Sequence, residues 1–128
     1  MDMKLSTLLK IMALICFLFG LGYLIIPKQI IAFFGAEADE VAVHAGRFLG
    51  GAIFGYGVLA WSARNAEGSA IRRAIKLAIF AACLFAFIPA LLAQLSGVFN
   101  AFGWIPVALL FLSAVAFGYF RFVSPSKD

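Results

Sequence analysis

The sequence predicts an all-α protein: a four-span transmembrane helical bundle with a short interfacial helix between spans one and two. Hydrophobic residues make up 65% of the 128 residues and charged residues only 12%, whereas soluble domains are about 25% charged. No charged residue interrupts residues 77–120. These observations exclude a soluble globular domain, a disordered segment and a nucleic-acid-binding arm. They leave a single integral membrane domain over residues 1–128.

The uncharged stretch 77–120 predicts two of the spans. A helix rises about 1.5 Å per residue and the hydrocarbon layer is about 30 Å thick, so one helix of about 44 residues would be twice as long as the membrane requires. Residues 96–103 in the middle are rich in serine, glycine and asparagine, which favour turns. The stretch is therefore predicted to form a helical hairpin with spans at 77–95 and 104–122.

The N-terminal half predicts two further spans. The first covers residues 5–26 and contains only one charge, Lys10, which lies close enough to the start to reach the membrane surface. A signal peptide is the alternative for this segment, but its apolar stretch is longer than signal peptides usually have. The second covers residues 41–63, and its first turns hold His44 and Arg47 near a membrane boundary.

The distribution of lysine and arginine predicts the orientation of the spans. Positive residues concentrate on the cytoplasmic side of membrane proteins. Only Lys28 and Arg47 fall on the side of the first loop. Eight fall on the side of the termini: Lys4, Lys10, Arg64, Arg72, Arg73, Lys76, Arg121 and Lys127. We expect a bacterial inner-membrane protein with both termini in the cytoplasm.

The loop between the first two spans has its own apolar pattern. A proline stands at residue 27 and a glycine at residue 35, which are common at the start and the end of a helix. One side of such a helix would carry Ile30, Ile31, Phe33 and Phe34. The segment is either a short helix lying flat at the membrane surface or an ordinary loop with buried anchors, and the pattern allows both.

Small residues form two stripes on span two. One stripe contains Gly46, Gly50 and Gly57, and the other, nearly opposite, contains Gly51 and Gly55. Span three has a similar stripe with Ala78 and Ala82. Small residues allow helix backbones in lipid to approach closely. We therefore expect span two to pack against neighbours on both sides.

Three ionisable residues continue the second stripe. Glu40, His44 and Arg47 are spaced so that they share the helical face of Gly51 and Gly55. One interpretation is a binding site, in which Arg47 and His44 hold a polar head group and the glycine groove holds an apolar tail. The other is an interfacial Glu40–Arg47 ion pair that only marks where the membrane ends.

A basic cluster follows span two and also has two interpretations. In one interpretation the cluster only determines the topology, and in the other it binds anionic lipid head groups. The cluster consists of Arg64, Arg72, Arg73 and Lys76.

The sequence contains no catalytic signature of a hydrolase, a metalloprotease or a nucleotide-binding enzyme. Cys16 and Cys83 lie in apolar stretches and are expected to be small buried side chains. With a single histidine they make no metal site, and no cofactor is required by the sequence.

Parts of the chain resemble a known group of proteins. The end of span one at residues 20–27, the apolar loop at 30–35 and the start of span two at 46–51 are similar to the DoxX-like proteins and a related group of small bacterial four-helix membrane proteins. The resemblance implies four helices with both termini inside. It also implies a membrane subunit of a quinone-linked sulfur oxidoreductase, with Arg47 and Gly51 as the shared arginine and glycine.

The expected function is that of a non-catalytic accessory or assembly subunit that packs against a larger membrane protein complex. Its partners are membrane lipids and other membrane protein subunits, and nucleic acid is excluded. The alternative is a binder of an apolar small molecule, such as a quinone, lipid or pigment, on span two. An autonomous enzyme or transporter is a third, less favoured interpretation.

Overall fold

The structure is a computed structural model that describes residues 4–66 and 68–123. Within these ranges the chain is helical and has no strand, which confirms the predicted all-α class. The α-helices are α1 Leu5–Ile25, α2 Pro27–Phe33, α3 Glu40–Ala63, α4 Ser69–Leu95 and α5 Trp104–Gly118. A 3₁₀ turn, Ala101–Gly103, precedes α5 and a π-helical turn, Tyr119–Val123, follows it. The ends of the predicted domain, with Lys127, lie outside the described residues.

Three helical segments are long and apolar enough to cross a membrane, which is consistent with an integral membrane protein. They are Leu5–Ile25, Ala70–Leu95 and Ala101–Val123. The predicted second span corresponds to α3, which has 24 residues. α3 has five glycines and carries Glu40 and Arg47, and it contains no 18-residue stretch as apolar as those in the three segments. The fourth span therefore stays a prediction.

The helix of the predicted third span extends beyond the predicted boundary of that span. α4 starts at Ser69, eight residues before the predicted start at residue 77. Charged side chains mark where a span leaves the lipid, but a helix does not have to end there, and α4 contains Arg72, Arg73 and Lys76. α4 also runs through Pro89 without interruption, although proline has no N–H to donate to the carbonyl of Phe85.

The long helices pack as two pairs, α1 with α3 and α4 with α5. Glycines let the first pair approach closely, since a Cβ atom on Gly50 would lie 2.8 Å from the carbonyl oxygen of Gly20. Further along α3, Gly57 lies against Phe17, which comes earlier in α1. The two helices are therefore antiparallel and in contact over most of their length.

The two pairs are joined at the end of the bundle where α1 begins, which we call the terminal end. All four long helices contribute to one apolar core there. Its buried residues are Leu5, Leu9, Met12, Ala13, Cys16, Ala60, Ala63, Ile75, Ile79, Cys83, Ala114, Phe117 and Phe120.

Polar contacts join the two pairs again at the opposite end, where α2 lies. The side-chain amide of Asn100 donates to the carbonyl of Phe33 at 3.0 Å, and its backbone N–H donates to that of Phe34 at 2.8 Å. Gln94 of α4 donates to the carbonyl of Asn100 at 2.9 Å. We call these contacts the Asn100 latch. The first loop contains a short helix, α2, as one of its two interpretations predicted. The position of α2 at the membrane surface stays a prediction.

Candidate functional site

One face of α3 is uncovered in the described part of the chain. This open face, on the side away from α1, consists of Glu40, Val41, His44, Arg47, Phe48, Gly51, Ala52, Gly55, Tyr56 and Leu59, all of them exposed. Phe48 is 82% exposed. A Cβ atom added at Gly51 or Gly55 would meet no atom within 4 Å.

The start of α3 fixes the direction of the open face. Asp39 caps the helix by accepting a hydrogen bond from the backbone N–H of Ala42 at 2.8 Å. Asx residues at this position stabilise a helix start because they satisfy a free backbone donor. From Glu40 onward the helical period then aligns residues 40, 44, 47, 51 and 55 on one side.

The three ionisable residues of this face remain separate from one another. Glu40 and Arg47 are two helical turns apart, which is about 10 Å along the axis. Among the described residues neither of them makes an ion pair or a hydrogen bond through its side chain. A shallow hollow of about 390 Å³ near His44 is lined by side chains of α3 alone, so it is a depression on one helix and not an enclosed pocket.

A crevice separates α3 from α4 beside the second glycine stripe. It has a volume of about 390 Å³, opens to the outside, and is lined by Ala52, Gly55, Tyr56 and Leu59 of α3 and by Ala78 of α4. Tyr56 is 40% exposed. Within the ranges that the structure describes, its hydroxyl group has no hydrogen-bond partner.

The other glycine stripe lies on the opposite side of α3. Gly50 and Gly57 are buried against α1, and Gly46 is buried against Tyr23 of α1 and Pro27 of α2. On α4, Ala78 is exposed and Ala82 is partly buried. α3 therefore uses one of its two small-residue stripes inside the chain and leaves the other uncovered.

Lys76 of the basic cluster is wholly enclosed at the terminal end. It has 0% relative exposure, and its ammonium group donates to the carbonyl of Phe120 at 3.2 Å. A buried charge is costly in the absence of hydrogen bonds to it, so the contact explains how α4 accommodates a lysine there. The π-helical turn begins one residue before this carbonyl.

The other members of the basic cluster differ in what they contact. Arg64 stacks on the ring of Trp61 at 4.0 Å and donates to the carbonyl of the same residue. Arg72 donates to the carbonyl of Ala66. Arg73 is exposed, and in the described part of the chain it makes no side-chain contact of this kind. The choice between topology and lipid binding for the cluster stays a prediction.

The described residues contain no group of three or more His, Cys, Asp or Glu side chains that could hold a metal ion. Both thiols, Cys16 and Cys83, are free and lie in the core.

Three residues that matter to this arrangement were not singled out from the sequence as site residues. Tyr56 carries a hydroxyl group within the uncharged part of α3. A polar group at such a position is the sequence signal that could have identified it. Gln94 and Asn100 are amides in an otherwise apolar stretch, and amides buried in lipid need partners.

Comparison with known proteins gives one family. No curated protein matches the chain, and no solved structure does. None of these comparisons links it to the DoxX-like proteins. Residues 1–121, nearly the whole chain, match the family described as Domain of unknown function (DUF8292). The chain is a member of that family.

Proposed function

We propose that the protein is a non-catalytic accessory or assembly subunit that packs against a larger membrane protein complex through the open face of α3. The observation that carries the proposal is the open space beside Gly51 and Gly55. A Cβ atom added to either glycine would meet no described atom within 4 Å. Small residues in a membrane helix favour helix–helix contact, since apolar side chains gain little by leaving lipid. A glycine pair that serves no contact among the described residues is best explained by a contact with another helix.

Tyr56 gives independent support for a helical partner. A phenolic hydroxyl usually has a hydrogen-bond partner when it is out of water. Tyr56 lines the same crevice as Gly55, and its hydroxyl has no partner within the described residues. A neighbouring helix would supply a carbonyl or a polar side chain as acceptor, whereas lipid chains offer none.

The proposal includes α3 as a fourth transmembrane span. α3 lies antiparallel to α1 along most of its length, so its uncharged residues 48–63 are level with the middle and N-terminal part of a helix that is apolar enough to cross. Arg47 is then level with the end of α1. With four spans, eight of the ten basic residues of the sequence would lie on the side of the termini, which corresponds to both termini in the cytoplasm of a bacterium.

A labelling experiment tests the four spans. Single cysteines replace Glu37, Asn65 and Ser96, which lie in three successive loops and are exposed. A membrane-impermeant maleimide should label residues 37 and 96 from one side and residue 65 from the other. Labelling of residues 37 and 65 from the same side would refute α3 as a span.

A matched pair of substitutions tests the subunit proposal. Ala52→Leu adds bulk on the open face, and Ala108→Leu adds the same bulk at an exposed position of α5. Tagged proteins are purified in mild detergent, and copurifying proteins are quantified by mass spectrometry. Wild type and Ala108→Leu should retain the same stoichiometric partner, and Ala52→Leu should lose it at an unchanged yield. A partner retained by all three, or by none, contradicts the proposal.

The second candidate function is binding of an apolar small molecule such as a quinone or lipid. The α3–α4 crevice favours it, because its small apolar lining suits one chain of a lipid or an isoprenoid. Arg47 and His44 would then contact the head group. Mass spectrometry of small molecules extracted from the same preparations tests it, since Arg47→Ala should release the ligand while Lys28→Ala retains it.

A further inference from the structure

Arg47 is the only charged residue on the part of the open face that lies next to the glycines. It stands one helical turn from Gly51 and is exposed. Arg47 lies at the level where α1 ends. In the described ranges its guanidinium group has no ion pair. The acidic residues Glu37, Asp39 and Glu40 are two turns or more further out, and Asp39 serves as the cap of α3.

This charge distribution argues against a second copy of the chain as the occupant. Two copies inserted in the same direction would be related by a twofold axis along the membrane normal, and their α3 helices would be parallel. Residues next to the axis then face their own equivalents, so Arg47 would face Arg47. Glu40 cannot relieve this repulsion because it is about 10 Å further along the helix.

We infer that the open face takes one transmembrane helix of a different chain, and that this helix carries a carboxylate about one turn beyond its own small-residue contact. The carboxylate would lie at the membrane boundary opposite Arg47, where a guanidinium group can hold both of its oxygens. This inference rests on the proposed function and adds the chemistry of the partner. It requires charge complementarity in addition to the close approach at Gly51 and Gly55.

Synthetic peptides provide the test. The probe is a leucine-rich helix of about 20 residues with two glycines four residues apart and a glutamate one turn beyond the first glycine. Two control peptides have glutamine or lysine in place of the glutamate. Binding to the full-length protein in lipid vesicles is measured by energy transfer between fluorophores on the peptide and the protein.

We expect the glutamate peptide to bind the wild type about ten-fold more tightly than the lysine peptide, because Arg47 attracts the glutamate and repels the lysine. Arg47→Glu should reverse this order. Lys28→Glu makes the same charge change on α2, off the open face, and should leave the order unchanged. Equal binding of the three peptides to the wild type, or an order that Arg47→Glu does not change, would overturn the inference.

Two further measurements separate this inference from the proposed function. Gly55→Leu should weaken all three peptides alike if helices dock on the open face. If it does so while glutamate gives no advantage, the docking face stands and the requirement for a carboxylate fails. Energy transfer between two labelled copies of the protein that Gly55→Leu abolishes would identify a second copy as the occupant and would also overturn the inference.

Discussion

Alanine at Gly50 and alanine at Gly51 should change the stability of the protein in opposite directions. A Cβ atom on Gly50 would lie 2.8 Å from the carbonyl oxygen of Gly20, the backbone nitrogen of Leu24 and the Cβ atom of Tyr23. Two of these three are backbone atoms of α1 and cannot rotate away. A Cβ atom on Gly51 meets nothing within 4 Å. The two substitutions are neighbours on one helix and differ only in the side that they face.

The expected magnitudes follow from these distances. Ordinary contact at about 3.5 Å requires α1 and α3 to separate by about 0.7 Å, and a gap of that size forfeits about a quarter to a half of each neighbouring contact. Overpacking costs about 1–3 kcal/mol, and the helix preference of alanine returns about 0.5–1 kcal/mol. Gly50→Ala should therefore destabilise the protein by about 0.5–2 kcal/mol. Gly51→Ala should stabilise it by about 0.5–1 kcal/mol.

The free energy of unfolding is measured in mild detergent micelles by titration with a denaturing detergent. Helical circular dichroism and the fluorescence of the two tryptophans, Trp61 and Trp104, report unfolding. Unchanged stability in Gly50→Ala, or shifts of the same sign in both variants, would refute the close packing of α1 on α3 and the openness of the other face.

Three further predictions concern the two ends of the bundle and its core. Asn100→Ala should lower the free energy of unfolding by about 1–3 kcal/mol, because the side chain donates to Phe33 and accepts from the backbone N–H of Phe102. Lys76→Ala should lower it by about 2–4 kcal/mol, since it leaves a cavity and removes a buried hydrogen bond. The buried Cys16 and Cys83 should react with maleimide only after denaturation, which a mass shift measures.

Each of these predictions has a control or a contradicting result. Ser96→Ala removes one exposed hydrogen bond to its own helix and should change stability by less than about 0.5 kcal/mol. Lys10→Ala, at an exposed position of α1, should be as mild. If Asn100→Ala lowers the free energy of unfolding no more than Ser96→Ala does, the Asn100 contacts contribute nothing measurable to stability. The same holds for the Lys76 contact if Lys76→Ala lowers it no more than Lys10→Ala. Rapid labelling of either thiol in native protein would contradict its burial.

The helices could be predicted from the sequence because lipid imposes strong local requirements. Apolar length and the positions of charges were enough to place the helices that begin at Leu5 and at Trp104. α4 starts at Ser69, outside the predicted span, because charges report the depth in the membrane and a helix does not have to stop at that depth. The alignment of Glu40, His44 and Arg47 with the glycines followed from the helical period alone.

Which glycine stripe is buried could not be predicted from α3 itself. Both stripes are small enough for close packing, and the outcome depends on Gly20 of α1, which provides a backbone surface opposite Gly50. The Asn100 latch was missed for a similar reason, since its side-chain contact to Phe33 joins residues 67 positions apart. Neither contact leaves a signal within one helix or one loop.

The two helix pairs are joined by contacts at both ends of the bundle, and this has a consequence for recognition. α3 is held by α1 along its length, and the pairs cannot slide past each other without disturbing the core at one end and the Asn100 latch at the other. A partner of the proposed kind would therefore meet a surface that these contacts already hold in place, and little conformational entropy of this protein would be lost on association. Competing partners should consequently differ mainly in how long they stay bound and much less in how fast they arrive.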